Sequence, residues 1–183
     1  IGYAVASPYV EGETPVSLMV ISEIEAGKSL MLSKFNSVES VIYQTDFTRY
    51  GLLHEWLPAL RTRKKRTLIV PDIVALMESK SQTGKAALLG FLTSLTEEGV
   101  VNIDTYGTSV HLDSPLRCNI IVAAPSVVVK DKRRWSAWQG IGFVSRLLPI
   151  TYRYNHEAVA KIVKYITRRE YSAESPALLS LTD

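Results

Sequence analysis

The run Ser22-Glu23-Ile24-Glu25-Ala26-Gly27-Lys28-Ser29 follows directly on an apolar stretch at 17–21 (SLMVI) and leads into a helical pattern at 28–35. Loops that cradle phosphates carry G-x-x-x-x-G-K-[ST] between a strand and a helix. The second glycine, the lysine and the hydroxyl are present here, and Ser22 stands where the first glycine belongs. In such a loop, backbone N–H groups turn inward around phosphate oxygens. The glycine permits close approach, the ammonium neutralises the β- and γ-phosphates, and the hydroxyl joins a Mg²⁺ shell. The spacing therefore predicts a binding segment made of Ser22, Glu23, Ile24, Glu25, Ala26, Gly27, Lys28, Ser29 and Leu30. Lys28 is its phosphate contact and Ser29 its metal ligand. Serine is small enough for the tight turn at position 22, whereas Glu23 and Glu25 must point outward to keep their charge off the phosphates.

Phosphate chemistry of this kind needs an acidic partner at the end of a neighbouring buried strand. Thr67-Leu68-Ile69-Val70-Pro71-Asp72 supplies one, and Asp72 is the expected second contact to Mg²⁺. The plainer alternative is an aspartate that caps the loop after a strand. Ile73 follows, where a glutamate would serve as the base that activates water. Glu78 is the next acidic residue downstream, and Glu55 has no assigned role. The motif set thus supports binding of ATP with Mg²⁺ more strongly than its hydrolysis.

Two further segments complete a pattern. Residues 99–112 (GVVNIDTYGTSVHL) alternate apolar and polar around Tyr106-Gly107-Thr108, which predicts a β-hairpin just ahead of the apolar strand at 118–124. With that order of elements, the chain over about 15–154 resembles an AAA+ ATPase core. It is most similar to the minichromosome-maintenance and magnesium-chelatase branches, which carry a hairpin before the sensor strand. The resemblance implies that Ser126, at the end of NIIVAAPS, is the γ-phosphate sensor. It implies that Arg146, in GFVSRL, is an arginine finger acting on a neighbouring subunit's nucleotide, so that the chain works as a homo-oligomer, a ring or a filament. It implies ATP hydrolysis coupled to remodelling of nucleic acid or protein, with Lys28, Asp72, Ser126 and Arg146 as the acting residues. A helical lid belongs to the family, and Arg153 and Arg168 are the candidates for its second sensor.

The elements that must position these residues are legible as apolar runs separated by helical periodicity. Strands are expected at 17–21, 40–45, 67–70, 118–124 and 148–154, and helices at 28–35, 48–60, 79–98 and 156–168. Continuous apolar strands alternating with helices predict an α/β fold. Its expected form is a three-layer P-loop domain with a central, mostly parallel sheet, a hairpin insertion and a short or truncated C-terminal lid. The expected division is an extended lead-in at 1–15, the nucleotide-binding domain at 16–154, and a helix and tail at 155–183.

Composition narrows the classes. The chain has 183 residues, 46% of them hydrophobic and 21% charged, with net charge +3. That balance excludes a disordered or collagen-like chain. The single cysteine, Cys118, excludes an internal disulfide and reads as a buried thiol in a reducing, cytoplasmic setting. No apolar run reaches the roughly 18 residues of a membrane helix, and no secretion signal opens the chain.

Arg61-Thr62-Arg63-Lys64-Lys65-Arg66 and Lys130-Asp131-Lys132-Arg133-Arg134-Trp135 are basic enough to meet nucleic-acid phosphates. Trp135 and Trp138 offer stacking surfaces. The alternatives are a solvated loop for the first run and, for the tryptophans, packing against the core or a neighbouring subunit. If nucleic acid is bound, the hairpin tip at Tyr106 is the expected contact. His54, His111 and His156 lack metal-ligand spacing, and no G-x-S-x-G elbow is present. Two other functions remain open on this reading: a catalytically silent P-loop scaffold or regulatory subunit, and a nucleic-acid-binding module.

Overall fold

The computed structural model describes residues 1–62, 64–105 and 108–168. They divide into one unit at Ile1–Thr151 and a second that starts at Tyr152. In the first, the strands are β1 (Leu18–Ser22), β2 (Val41–Tyr43), β3 (Thr67–Val70), β4 (Val100–Thr105), β5 (Thr108–Leu116), β6 (Asn119–Pro125) and β7 (Leu148–Thr151). The helices are α1 (Gly2–Ala6), α2 (Lys28–Ser33), α3 (Arg49–Arg61), α4 (Ile73–Glu78), α5 (Gln82–Thr96), α6 (Ser126–Lys130) and α7 (Lys132–Gly140).

Five strands form one sheet in the order β2-β3-β6-β1-β7, and every pairing is parallel. The runs of Val, Ile and Leu are continuous because both faces of these strands are covered. Met19, Ile21, Leu68, Val70, Ile120 and Val122 share one face and belong to the main core with Leu57, Leu76, Leu88 and Leu92 from the helices. Leu18, Val20, Ile69, Ile121 and Ala123 face the other way and are buried too. On that side Asn119 donates from Nδ2 to the carbonyls of Ala4 (2.7 Å) and Val16 (3.1 Å). That bond ties α1 across β6. The fold is thus the expected α/β class with a parallel central sheet.

The lead-in at 1–15 departs from the extended conformation expected of it. Residues 2–6 are helical and Ser7–Tyr9 form a 3-10 turn with Pro8 near its start. Arg66 explains why this segment is held. Its Nη1 donates to the Pro8 carbonyl and its guanidinium lies 5.4 Å from the centre of the Tyr9 ring. The helix expected over 79–98 is α5, with Ser81 capping it through Gly84 N–H, and the short helix α4 ahead of it was not expected.

β4 and β5 form the expected antiparallel hairpin, separate from the main sheet. Its register shifts between Val100 and Asn102, where β5 carries extra residues around Pro115. The ladder runs out to the pair Thr105 and Thr108, and the predicted tip residue Tyr106 lies outside the described residues. Cys118 is buried, as expected, and burial pushes its thiol up to about 12.

The second unit contributes α8 (His156–Arg168), started by Asn155, whose Oδ1 accepts from Ala158 N–H at 2.7 Å. The tail at 172–183 lies outside the described residues. Among the described residues no helix is long and apolar enough to cross a membrane.

Candidate functional site

The segment between β1 and α2 wraps back on itself. Lys28 Nζ donates to the carbonyl of Glu23 at 2.6 Å and to that of Ser22 at 3.3 Å. Gly27 holds φ 77°, ψ 12°, a left-handed conformation that glycine adopts without cost. Glu25 is also left-handed at φ 62°, where a side chain is unfavourable. A turn bond from Ala26 N–H to the Glu23 carbonyl (3.3 Å) closes the bend. Ser22 is buried and Ile24 is 69% exposed, so the loop roots in the core and its crown faces solvent. Leu30 is exposed as well.

Parallel strands put all their C-terminal ends on one edge, and that edge collects the predicted residues. Ser22 pairs with Pro125, so Ser126, half-buried at the start of α6, lies next to the root of the loop. β6 in turn pairs with β3, whose end leads into Pro71 and Asp72. Ser29 Oγ donates to the Pro71 carbonyl at 3.2 Å, joining the loop to the acidic segment directly. Partial burial holds the Lys28 ammonium below its usual range, and the charge of Asp72 works in the opposite direction. Lys28, Ser29, Asp72 and Ser126 therefore meet at one sheet edge.

Asp72 has a structural duty there. Its Oδ1 accepts from the N–H groups of Val74 (2.9 Å) and Ala75 (3.0 Å), which makes it the cap of α4. Both bonds fall on Oδ1, so the cap leaves Oδ2 out. Ile73 is wholly buried, and Glu78, at the far end of α4, is held by Arg134 Nη2 at 3.0 Å. No acidic residue follows Asp72 in the position of a base.

Arg146 stands apart from this edge. It ends a 3-10 turn (Val144–Arg146) two residues before β7, and Leu148 of β7 pairs with Leu18 at the beginning of β1. The loop begins at the other end of that strand, a rise of about 13 Å away. The guanidinium forms an ion pair with Glu97 and donates to the Gly142 carbonyl at 2.7 Å.

Three side chains of the basic runs, Lys65, Arg66 and Arg134, are engaged by the fold. Lys65 Nζ donates to the Val41 carbonyl at 2.8 Å and lies over the Trp56 ring, and Arg66 clamps the N-terminal segment. Arg63 lies outside the described residues. In the second run Asp131 caps α7 and Arg134 pairs with Glu78. Trp138 is buried edge-on against Phe143, and Trp135 packs on the same core. Trp138 thus fills the core, and Trp135 is partly buried against it. His54 stacks on Tyr50, and no cluster of metal-ligating side chains occurs among the described residues.

Sequence reasoning missed the left-handed Glu25 and the helix that Asp72 caps. The first carries no signal, because glutamate gives no hint of positive φ. The second had one in Pro71-Asp72 ahead of an apolar stretch, a helix-start pattern. The sequence matches no protein-family model and no curated protein.

Proposed function

We propose that this chain is a Mg²⁺-dependent ATP-binding protein of the AAA+ type that acts as an oligomer. The observation that carries the reading is the closed loop in which Lys28 Nζ reaches the Ser22 and Glu23 carbonyls while Ser29 Oγ reaches Pro71. A strand order with β6 between the loop strand and the Asp72 strand also suits it. So does a hairpin ahead of β6.

The residues fit the groups they would hold. Lys28 would be the cationic donor to a triphosphate, and it must exchange two carbonyls for phosphate oxygens to bind it. Ser29 and Asp72, through Oδ2, would hold Mg²⁺, which when bound neutralises charge on the β- and γ-phosphates. Ser126 offers a hydroxyl beside the γ-phosphate. Arg146 serves a neighbour's site, since its own loop lies at the opposite end of β1. Nucleic acid or another protein is the class of substrate such an assembly would remodel. The buried Cys118 thiol suits a reducing, cytoplasmic setting.

A second reading is a catalytically silent scaffold that binds nucleotide without turning it over. It rests on buried Ile73 after Asp72 and on Glu78 engaged by Arg134. The test is ATP turnover followed as protein concentration rises. Turnover that climbs with self-association supports the oligomeric ATPase. Saturable Mg·ATP binding with no turnover at any concentration supports the scaffold. A chain that does not bind Mg·ATP refutes both.

A further inference from the structure

The surroundings of Arg146 are a built pocket for a guanidinium. Its Nε faces the carboxylate of Glu97, the residue that ends α5. Nη1 donates to the Gly142 carbonyl at 2.7 Å and to Ser145 Oγ at 3.4 Å. Gly142 holds φ +77°, and a Cβ there would lie 2.3 Å from Nη1. The backbone closes on the arginine only because that residue is glycine.

The pocket is strong in shape and weak in charge. The Glu97 side chain is 54% exposed and that of Arg146 29%. The Arg146 Nε of the pair is closed off from water while its carboxylate partner is half open to it, and a pair held from one side only can exchange for a better anion. A terminal phosphate is such an anion, because it carries more charge and accepts the guanidinium fork at two oxygens.

Resting on the nucleotide-site reading above, we propose that Glu97 is a built-in competitor for Arg146. It holds the arginine against its own subunit until the γ-phosphate bound by a second copy of this chain displaces it. Glu97 is a positioning residue: it sets how readily Arg146 leaves, and touches no nucleotide. The isolated subunit keeps its arginine occupied, and nucleotide-dependent assembly must break the pair.

The test measures self-association by sedimentation with Mg²⁺ and the non-hydrolysable analogue AMP-PNP. Glu97→Gln raises the association constant about two- to fivefold, the worth of an exposed ion pair. Glu97→Ala does the same. On an Arg146→Ala background, Glu97→Gln changes nothing, which a merely structural role for Glu97 does not predict. An unchanged or lower constant in the Glu97 variants overturns the proposal, as does an increase that persists without Arg146. Analogue binding without assembly in the unmodified chain also overturns it, while leaving the nucleotide reading intact. Failure of the unmodified chain to bind the analogue by calorimetry refutes the nucleotide reading and the competitor with it.

Discussion

Lys28 Nζ donates a 2.6 Å hydrogen bond to the carbonyl of Glu23, five residues upstream and across the loop that separates β1 from α2. The lysine thereby closes the loop on its own backbone, and its surroundings set how it titrates. Partial burial keeps its ammonium below the ordinary lysine range, and the Asp72 carboxylate opposes that shift. The positive charge is what a triphosphate needs. Affinity for Mg·ATP is therefore expected to decline as pH rises, starting below the range in which exposed lysines titrate. In Asp72→Asn the opposing influence is gone, and the decline starts at lower pH still. Calorimetry at a series of pH values above neutrality checks both onsets. A profile flat up to the ordinary lysine range contradicts the placement of Lys28.

Asp72 caps α4 through Oδ1 alone. Asparagine caps a helix as well as aspartate does, and alanine does not. Asp72→Asn should keep thermal stability within about 0.5 kcal/mol while abolishing the Mg²⁺ dependence of ATP binding. Asp72→Ala should lose the same dependence and also about 1 kcal/mol of stability. Full Mg²⁺ dependence in Asp72→Asn would reduce this residue to its capping role.

Glu25 occupies a left-handed conformation. That costs an L-residue about 1–2 kcal/mol, against roughly 0.5–1 kcal/mol for the extra unfolded-chain freedom of glycine. Glu25→Gly should stabilise the chain by about 0.5 kcal/mol, or raise Tm by about 1–2 °C. It should also tighten Mg·ATP binding, because a carboxylate leaves the crown of the loop. A lower Tm in this variant contradicts the backbone conformation described.

Gly142 combines positive φ with the guanidinium of Arg146 pressed against it. Gly142→Ala forces a strained backbone and expels Nη1 from its site. The expected loss is about 1–2 kcal/mol, seen as a Tm lower by about 2–8 °C. An unchanged melting curve would show that the turn before Arg146 is built differently.

What the sequence revealed and what it hid divide along physical lines. The core strands were legible because a strand covered on both faces must be apolar at every position, as at Leu68–Val70 and Ile120–Ala123. The hairpin was legible from its alternation. Local capping was harder to see. Asp72 turns the apolar stretch after β3 into a helix, and no periodicity distinguishes six apolar-rich residues from a loop. Charge runs gave no sign of which heads the fold engages. Lys65 and Arg66 belong to the most basic stretch of the chain, yet their heads find Val41 and Pro8 carbonyls and their neighbours are Trp56 and Tyr9 rings. The predicted loop, Asp72 and Ser126 converge at one sheet edge because parallel pairing brings those strand ends together. Arg146 lies at the other edge because it precedes its strand.

The most direct measurement is a calorimetric titration of Mg·ATP into the unmodified chain and into Lys28→Ala. Removing the ammonium should cost about 1.5–3 kcal/mol of charge-assisted contact, a weakening of about 10- to 150-fold in Kd, with the fold retained by circular dichroism. Equal affinity in the two chains, or no binding to the unmodified one, would contradict the reading of Ser22–Ser29 as a nucleotide loop.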